Sequence, residues 1–385
     1  MLRFIFFLPL FVTTLTATAQ PADSCSIRIS LLTCTPGKEL YSTFGHSALR
    51  VIDKTNSSDI IFNYGTFDFN DPDFYWKFTR GKLLYFVSVD SFSDFIAEYQ
   101  YEGRGITEQT LDLSCEEKQN LVDALYENAK EENKYYKYDF VRDNCTTRLR
   151  DIVAKYCKDS LVSKNIRPYN GVTFRKLLHE YLNKGNQYWS KFGIDILLGS
   201  PLDKKITNDE AMFLPDYLMK AFDSSSIGTK KLVHEKTTIL NSATRSNKSP
   251  LFTPLVVFCL LFLVIAVLSF VHSKKIRSFF RVFDFTLFFL YGLLGLFLLF
   301  MWFGTDHPTC RYNFNLLWAF PGHIFIAFFI GQKKKWIKYY FLCTSIVLLL
   351  LAIFGEGPQE MDNAFFPLIV LLLLRSLIRY KEIPK

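Results

Sequence analysis

The recurring patterns that bind metals and nucleotides are missing from this 385-residue chain. Its six histidines and eight cysteines never fall, with carboxylates, into zinc-ligand spacing, so no metal is expected. A glycine-rich phosphate loop and a dinucleotide fingerprint are also absent, which leaves nucleotide chemistry without a handle and no cofactor to expect. There is no internal repeat, which sets aside repeat architectures. Nor is there a lipobox: Ala22-Asp23-Ser24-Cys25 places a charge where a lipoprotein signal needs apolar residues.

Apolar residues are plentiful, at 49% with 40 Phe, and they pile up at the two ends. Arg3, an apolar run over residues 4–12 and Ala17-Thr18-Ala19 form the three parts of a secretory signal, with residues 1–19 removed and Gln20 first in the mature chain. The second half carries five apolar segments, near residues 251–271, 282–303, 316–330, 336–354 and 365–378, read as an all-α transmembrane domain of about five helices over 251–385. Lys274, Lys275, Arg277 and Arg281 follow the first, Lys333, Lys334, Lys335 and Lys338 the third, and Arg375, Arg379, Lys381 and Lys385 the fifth. The alternate loops hold Arg311 as their one basic residue. The positive-inside rule then puts the basic loops and the C-terminus in the cytoplasm and residues 20–250 outside, with 20–223 as the exported domain. Residues 224–250, rich in Ser, Thr and Lys, read as a polar tether. The net charge of +8 is thus an orientation signal rather than a nucleic-acid footprint.

Within the exported part, residues 25–35, 48–52, 60–64, 83–89 and 107–113 read as strands, the second and third as a hairpin across the turn-rich 53–59. Residues 92–99 predict a short helix ended near Gly103. Ser114 and Glu117 have capping-box spacing ahead of a helix running to about Glu132, and Thr173 caps another carrying Leu177, Leu178 and Tyr181.

The stretch around Cys145 organises this domain. Leu149, Ile152, Val153 and Tyr156 recur at helical spacing, and Asp143 or Asn144 can cap that helix, which leaves Cys145 in its first turn. Unpaired amides and the positive dipole end there favour thiolate over thiol. Five cysteines (Cys25, Cys34, Cys115, Cys145, Cys157) precede the apolar segments, an odd number that leaves a thiol unpaired, and Cys145 is the candidate. A thiolate needs a base, and His46, between Gly45 and Ser47 at the start of a strand, offers one. Symmetric pairing of the hairpin brings Asn63, Tyr64 or Thr66 beside His46, any of which could orient the imidazole. The bland readings are a buried structural cysteine and a satisfied strand histidine; the polar flanks Asp143, Asn144, Thr146 and Thr147 argue against the first. His179, among Leu177, Leu178 and Tyr181, reads as structural.

His before Cys, with Cys opening a helix, resembles the circularly permuted papain-like thiol superfamily, which contains the lecithin–retinol acyltransferases. More specifically, LLTCTPGKELYSTFGHSALRV (31–51), IFNYGTFDF (61–69), YDFVRDNCTTRLRD (138–151) and FLPDYL (213–218) together resemble the Lnb-type bacterial lipoprotein N-acyltransferases. The resemblance implies an α+β, papain-like exported domain followed by a membrane domain. It implies Cys145 as nucleophile and His46 as general base, with the third residue left open among Asn63, Tyr64, Asn144 and Asp143. It also implies a multi-pass protein of the bacterial inner membrane, with the thiol domain on the periplasmic side. Membrane phospholipid would be the acyl donor and diacylated lipoproteins the acceptor. The outward loop 304–318 resembles the same family. There Asp306, His307, Asn313 and Asn315, near Trp302 and Trp318, are candidates to hold a headgroup or the incoming lipoprotein; an ordinary loop capping the bundle is the plain alternative. His323 falls inside the third apolar segment, where an ionisable group is a functional candidate by default.

Two other classes stay in view. A tethered cysteine peptidase or amidase acting on cell-wall peptides would use the same pair with water as acceptor, although a soluble substrate does not call for five spans. A non-catalytic scaffold would tolerate loss of Cys145 and His46.

Overall fold

The computed structural model describes residues 25–157, 161–243, 250–355 and 357–384, with the backbone alone at 161 and 162. The expected signal segment, 1–19, lies outside the described residues. The strands are β1 (Ile27–Cys34), β2 (His46–Asp53), β3 (Ser58–Thr66), β4 (Leu84–Ser91), β5 (Ile106–Leu111), β6 (Tyr135–Lys137), the short β7 (Leu161–Val162), β8 (Ser226–Ile227) and β9 (Lys230–Lys231), and β10 (Val233–Leu240). The helices before the apolar region are α1 (Phe74–Thr79), α2 (Phe92–Glu102), α3 (Cys115–Ala129), α4 (Cys145–Tyr156), α5 (Phe174–Lys184), α6 (Tyr188–Leu197), α7 (Asn208–Ala211) and α8 (Pro215–Ser224). Within it come α9 (Pro254–Ser269), α10 (Lys274–Phe303), the five-residue α11 (His323–Ala327), α12 (Lys335–Phe354) and α13 (Phe365–Glu382).

An antiparallel sheet in the order β10-β5-β1-β2-β3-β4-β6 forms the frame. Strand β1 is covered on both sides, which explains why its residues are buried almost without a break. Ile29 and Leu31 face α3, α4 and α8, whereas Leu32 and Cys34 face Phe95 and Tyr99 of α2. All four strand residues are fully buried, and each Ile or Leu contributes about 1.5–3 kcal/mol by leaving water. The hairpin of β2 and β3 pairs Leu49 with Phe62 and Asp53 with Ser58. Helix α3 begins on the expected capping box of Ser114 and Glu117, and Thr173 caps α5 through the Lys176 amide.

The expected tether, 224–250, is corrected over much of its length. Its segment Val233–Leu240 pairs with β5 as the edge strand of the sheet. Its side chains are mostly exposed and polar, so it carries no apolar alternation to announce a strand, as suits a protected edge. The third apolar segment is also corrected. Instead of one helix over 316–330 there is a short 3-10 turn at Phe314–Leu317, a break at Pro321-Gly322 and then α11; proline at that point cannot continue a helix entered from its N-terminal side. Among the described residues two helices, Lys274–Phe303 and Lys335–Phe354, are long and apolar enough to cross a membrane. Helix α13 is locked to α10 by a buried ion cluster, in which Arg375 binds Asp284 at 2.7 and 2.8 Å and Arg379 binds the same carboxylate at 2.5 Å. Both arginines pairing with one carboxylate is what lets those charges stay out of water.

Candidate active site

Helix α4 is built to start at Cys145. The Asn144 carboxamide accepts from the Thr146 and Thr147 amides at 2.9 Å each, and Thr147 Oγ1 accepts from the Asn144 amide. The Asn144 Nδ2 donates to the carbonyls of Phe140 and Phe213 at 2.7 and 2.9 Å. Every polar group of this nearly buried side chain is therefore used in holding the turn, and Asn144 positions the thiol from behind. Leu149, Ile152 and Val153 seat the helix in the core. Asp143 is not in the centre: it forms a two-pronged pair with Arg148 at 2.6 and 2.9 Å, facing outward.

His46 opens β2 and sits across from the start of α4. Its Nε2 lies 2.5 Å from Asn63 Oδ1, which leaves Nδ1 for the thiol side. Asn63 and Tyr64 are consecutive on a strand and so project to opposite faces. Tyr64 goes into the core, where its hydroxyl accepts from Asn128 Nδ2 at 2.8 Å, and Thr66 bonds to the Asn63 carbonyl and to Ser88. Of the three hairpin candidates, Asn63 is the one that holds the imidazole.

Two glycines make room. Gly45, at φ +82°, would carry a Cβ 2.7 Å from the Cys34 carbonyl oxygen, and Gly65, at φ +90°, brings β3 against Cys145, whose Cβ is 3.5 Å from where a Gly65 Cβ would stand. Both conformations suit glycine and strain other residues. Gly65 also coincides with a register irregularity between Tyr64 and Thr66, a device that bends strands beside functional sites.

The electrostatics favour an ion pair. Burial alone pushes the Cys145 thiol up, but the His46 imidazolium, its hydrogen bond, the Ser47 backbone and the Thr146 hydroxyl outweigh it and bring the thiol down to about 7. Burial likewise works against the charged imidazole of His46, and the Cys145 thiolate together with the Asn63 bond raises it above its ordinary value. Cys145 is a free thiol. Thr146 Oγ1 is 3.6 Å from Sγ and donates to Ser47 Oγ at 3.4 Å; neither hydroxyl stands out in the sequence, because a neighbour of a nucleophile carries no pattern of its own. Among the described residues, no three His, Cys, Asp or Glu side chains are grouped to hold a metal ion.

The four loop candidates have other work. The Nδ2 of Asn313 donates to the carbonyls of Ile196 and Leu197, and that of Asn315 to those of Asp195 and Ile196, at 2.8–3.1 Å. Gln359 adds a bond to Leu198 at 3.1 Å. These are the unpaired carbonyls that end α6, so the loop caps that helix and fastens the sheet domain to the apolar helices. Asn313 and Asn315 are buried in this task, and their reading as substrate ligands is corrected. Asp306 pairs with Lys137 of β6 at 3.1 Å, and His307 Nε2 meets the Phe78 carbonyl of α1 at 3.0 Å. His179 is structural, bound to Asp195 at 2.9 Å, and His323 bonds to Tyr340 at 2.6 Å.

Comparison with known proteins finds two family matches, the first ending within α5. A family model described as the Lnb N-terminal periplasmic domain matches residues 15–180, and one described as the Lnb transmembrane domain matches residues 245–384. No curated protein and no solved structure matches the chain.

Proposed function

Because the chain belongs to the Lnb family, with the periplasmic domain ahead of the transmembrane domain, we propose that it is a cysteine-dependent lipoprotein N-acyltransferase of the bacterial inner membrane. The observation that carries this reading is the pairing of Cys145, lowered to about 7, with a His46 that Asn63 orients. The order His, Asn, Cys on two strands and a following helix start is that of a circularly permuted papain-like centre, and we assign the domain to that fold.

In the first half-reaction the Cys145 thiolate attacks an ester carbonyl of a membrane phospholipid. The carbon–oxygen bond breaks, the departing alkoxide takes the proton of the His46 imidazolium, and a lysophospholipid leaves a thioester behind. In the second, the α-amine of a diacylglyceryl-cysteine lipoprotein attacks the thioester, His46 accepts the amine's proton, and the thiolate departs as the amide forms. The Cys145 amide opens α4 and is not among those the Asn144 cap takes, so we assign it as an oxyanion donor. Anchoring both substrates in one leaflet accounts for a thiol domain fastened to membrane helices.

The test is a reconstitution of full-length protein with phospholipid vesicles and a diacylated lipoprotein, read by the mass of the lipoprotein's N-terminal peptide. Wild type should add one fatty acyl group, and Cys145→Ser and His46→Ala none. An unchanged mass with wild-type protein whose Cys145 still alkylates would reject the reaction.

A further inference from the structure

A run of aromatic rings leads away from Cys145. Tyr138 Cε2 is 3.6 Å from the Cβ position of Gly65, the same point that Cys145 approaches. Tyr85 stacks on Tyr138 at 4.3 Å, Phe67 meets Tyr85 at 5.3 Å, and Phe67 reaches Phe74 of α1 at 5.9 Å. From α1 the run ends on a membrane helix, where Trp76 stacks on Phe300 of α10 at 6.3 Å. Between Phe74 and Trp76 the link is the backbone of α1 rather than a ring contact, so that helix joins the thiol side of the series to the apolar helices.

The far part of this run is unusually exposed. Phe69, Tyr75, Trp76 and Phe78 are 62%, 80%, 57% and 51% exposed, a concentration of aromatic surface that water does not favour. The segment is fixed at the outer end of α10, because the Asp306 amide donates to the Arg80 carbonyl at 2.8 Å and His307 holds the Phe78 carbonyl. That places exposed Trp and Tyr where the apolar helices meet the sheet domain, the level at which such side chains sit in a membrane interface. Arg80, Lys82 and Lys137 surround Asp306 and hold its carboxyl below the ordinary range, Lys137 most strongly, so three cations face one carboxylate. The Nε of Arg80 is buried without a hydrogen-bond partner.

We propose that the aromatic segment 67–78 is the route by which a glycerophospholipid of the outer leaflet presents its ester to Cys145. The acyl chain lies along the rings, and the phosphate meets the cations beside Asp306. The proposal rests on the acyl-transfer reading above and adds the donor's binding site to it. Ring faces and edges give a chain contact without directional bonds, which suits a ligand that must slide to its ester. Continuity with α10 favours a lipid already in the bilayer over a soluble partner.

The test uses full-length protein in vesicles of phosphatidylethanolamine and phosphatidylglycerol, doped with a phospholipid bearing a diazirine on its acyl chain. Photolabel should appear in peptides covering 67–82, and label confined to 254–382 would overturn the route. In parallel, the exposed residues are changed together, as F69S/W76S/F78S. Acylation of Cys145 from vesicle phospholipid should fall about 10-fold or more, as expected for lost apolar contact, while its acylation by the soluble ester p-nitrophenyl acetate stays unchanged. Wild-type rates from phospholipid in the variant would refute the proposal, and so would loss of both reactions, since the segment would then merely support the site. A wild type that reacts with p-nitrophenyl acetate and never with phospholipid would instead strike down the donor assigned in the acyl-transfer reading, and the route with it.

Discussion

Asn63→Ala isolates the group that turns a Cys–His contact into an oriented pair. The change removes the acceptor 2.5 Å from His46 Nε2 and leaves β3 free to keep its register, since Asn63 pairs with Ser88 through the backbone. A hydrogen bond to a charged group contributes about 1.5–3 kcal/mol, so acylation should slow about 10- to 100-fold. The sign of the pH effect follows from the pair. Cys145 is a thiol below about 7 and a thiolate above it, and its thiolate is held by an imidazolium that Asn63 favours. Without Asn63 the imidazolium is less stable, the thiol is less acidic, and the acid limb of the rate profile moves to higher pH. The assay is the rate of Cys145 alkylation by iodoacetamide and of acylation by p-nitrophenyl acetate, each across pH 5–9 (a range of about four units that brackets the thiol and imidazole values). Asn63→Asp, which keeps an acceptor, should restore most of the rate. An Asn63→Ala protein with native rate and native limb would refute the orienting role.

Arg175→Met leaves Asp195 buried without the guanidinium that binds it at 2.7 Å and strips two bonds from the Leu198 and Gly199 carbonyls; breaking such a pair costs about 3–5 kcal/mol, so protease resistance should collapse, and Arg175→Lys should not restore it. Asn315→Leu keeps the volume but uncaps α6, so hydrogen exchange over residues 188–199 should speed up about 10-fold or more, while Cys145 alkylation stays native; slower alkylation would return Asn315 to the site. Gly65→Ala imposes a side chain at φ +90° at a cost of about 1–2 kcal/mol, and should lower the midpoint of thermal inactivation together with the acylation rate.

The residues that announced themselves did so through local rules. Asn144, Ser114 and Thr173 are caps with a helical pattern directly behind them, and all three cap as their sequences require. Asn63 was within reach because hairpin pairing is simple arithmetic, although only the strand's alternation of faces decides it against Tyr64. What could not be read depends on partners distant in sequence. Asn313 and Asn315 look like ligands because polar groups in an outer loop are conspicuous, whereas their acceptors lie more than a hundred residues away on α6. Strand β10 has exposed Glu, Lys and Thr where alternation would be sought, and the ladder to β5 alone makes it a strand. The apolar stretch 316–330 has the composition of a span, but Pro321 and Gly322 break its helix.

The central claim is that Cys145 carries the acyl group. Its most direct test is peptide mass spectrometry of full-length protein incubated with phospholipid and no acceptor. The account predicts a fatty acyl increment on the Cys145 peptide in wild type, none in Cys145→Ser, and none in His46→Ala. Folded wild-type protein whose Cys145 alkylates readily yet never gains that mass would contradict it.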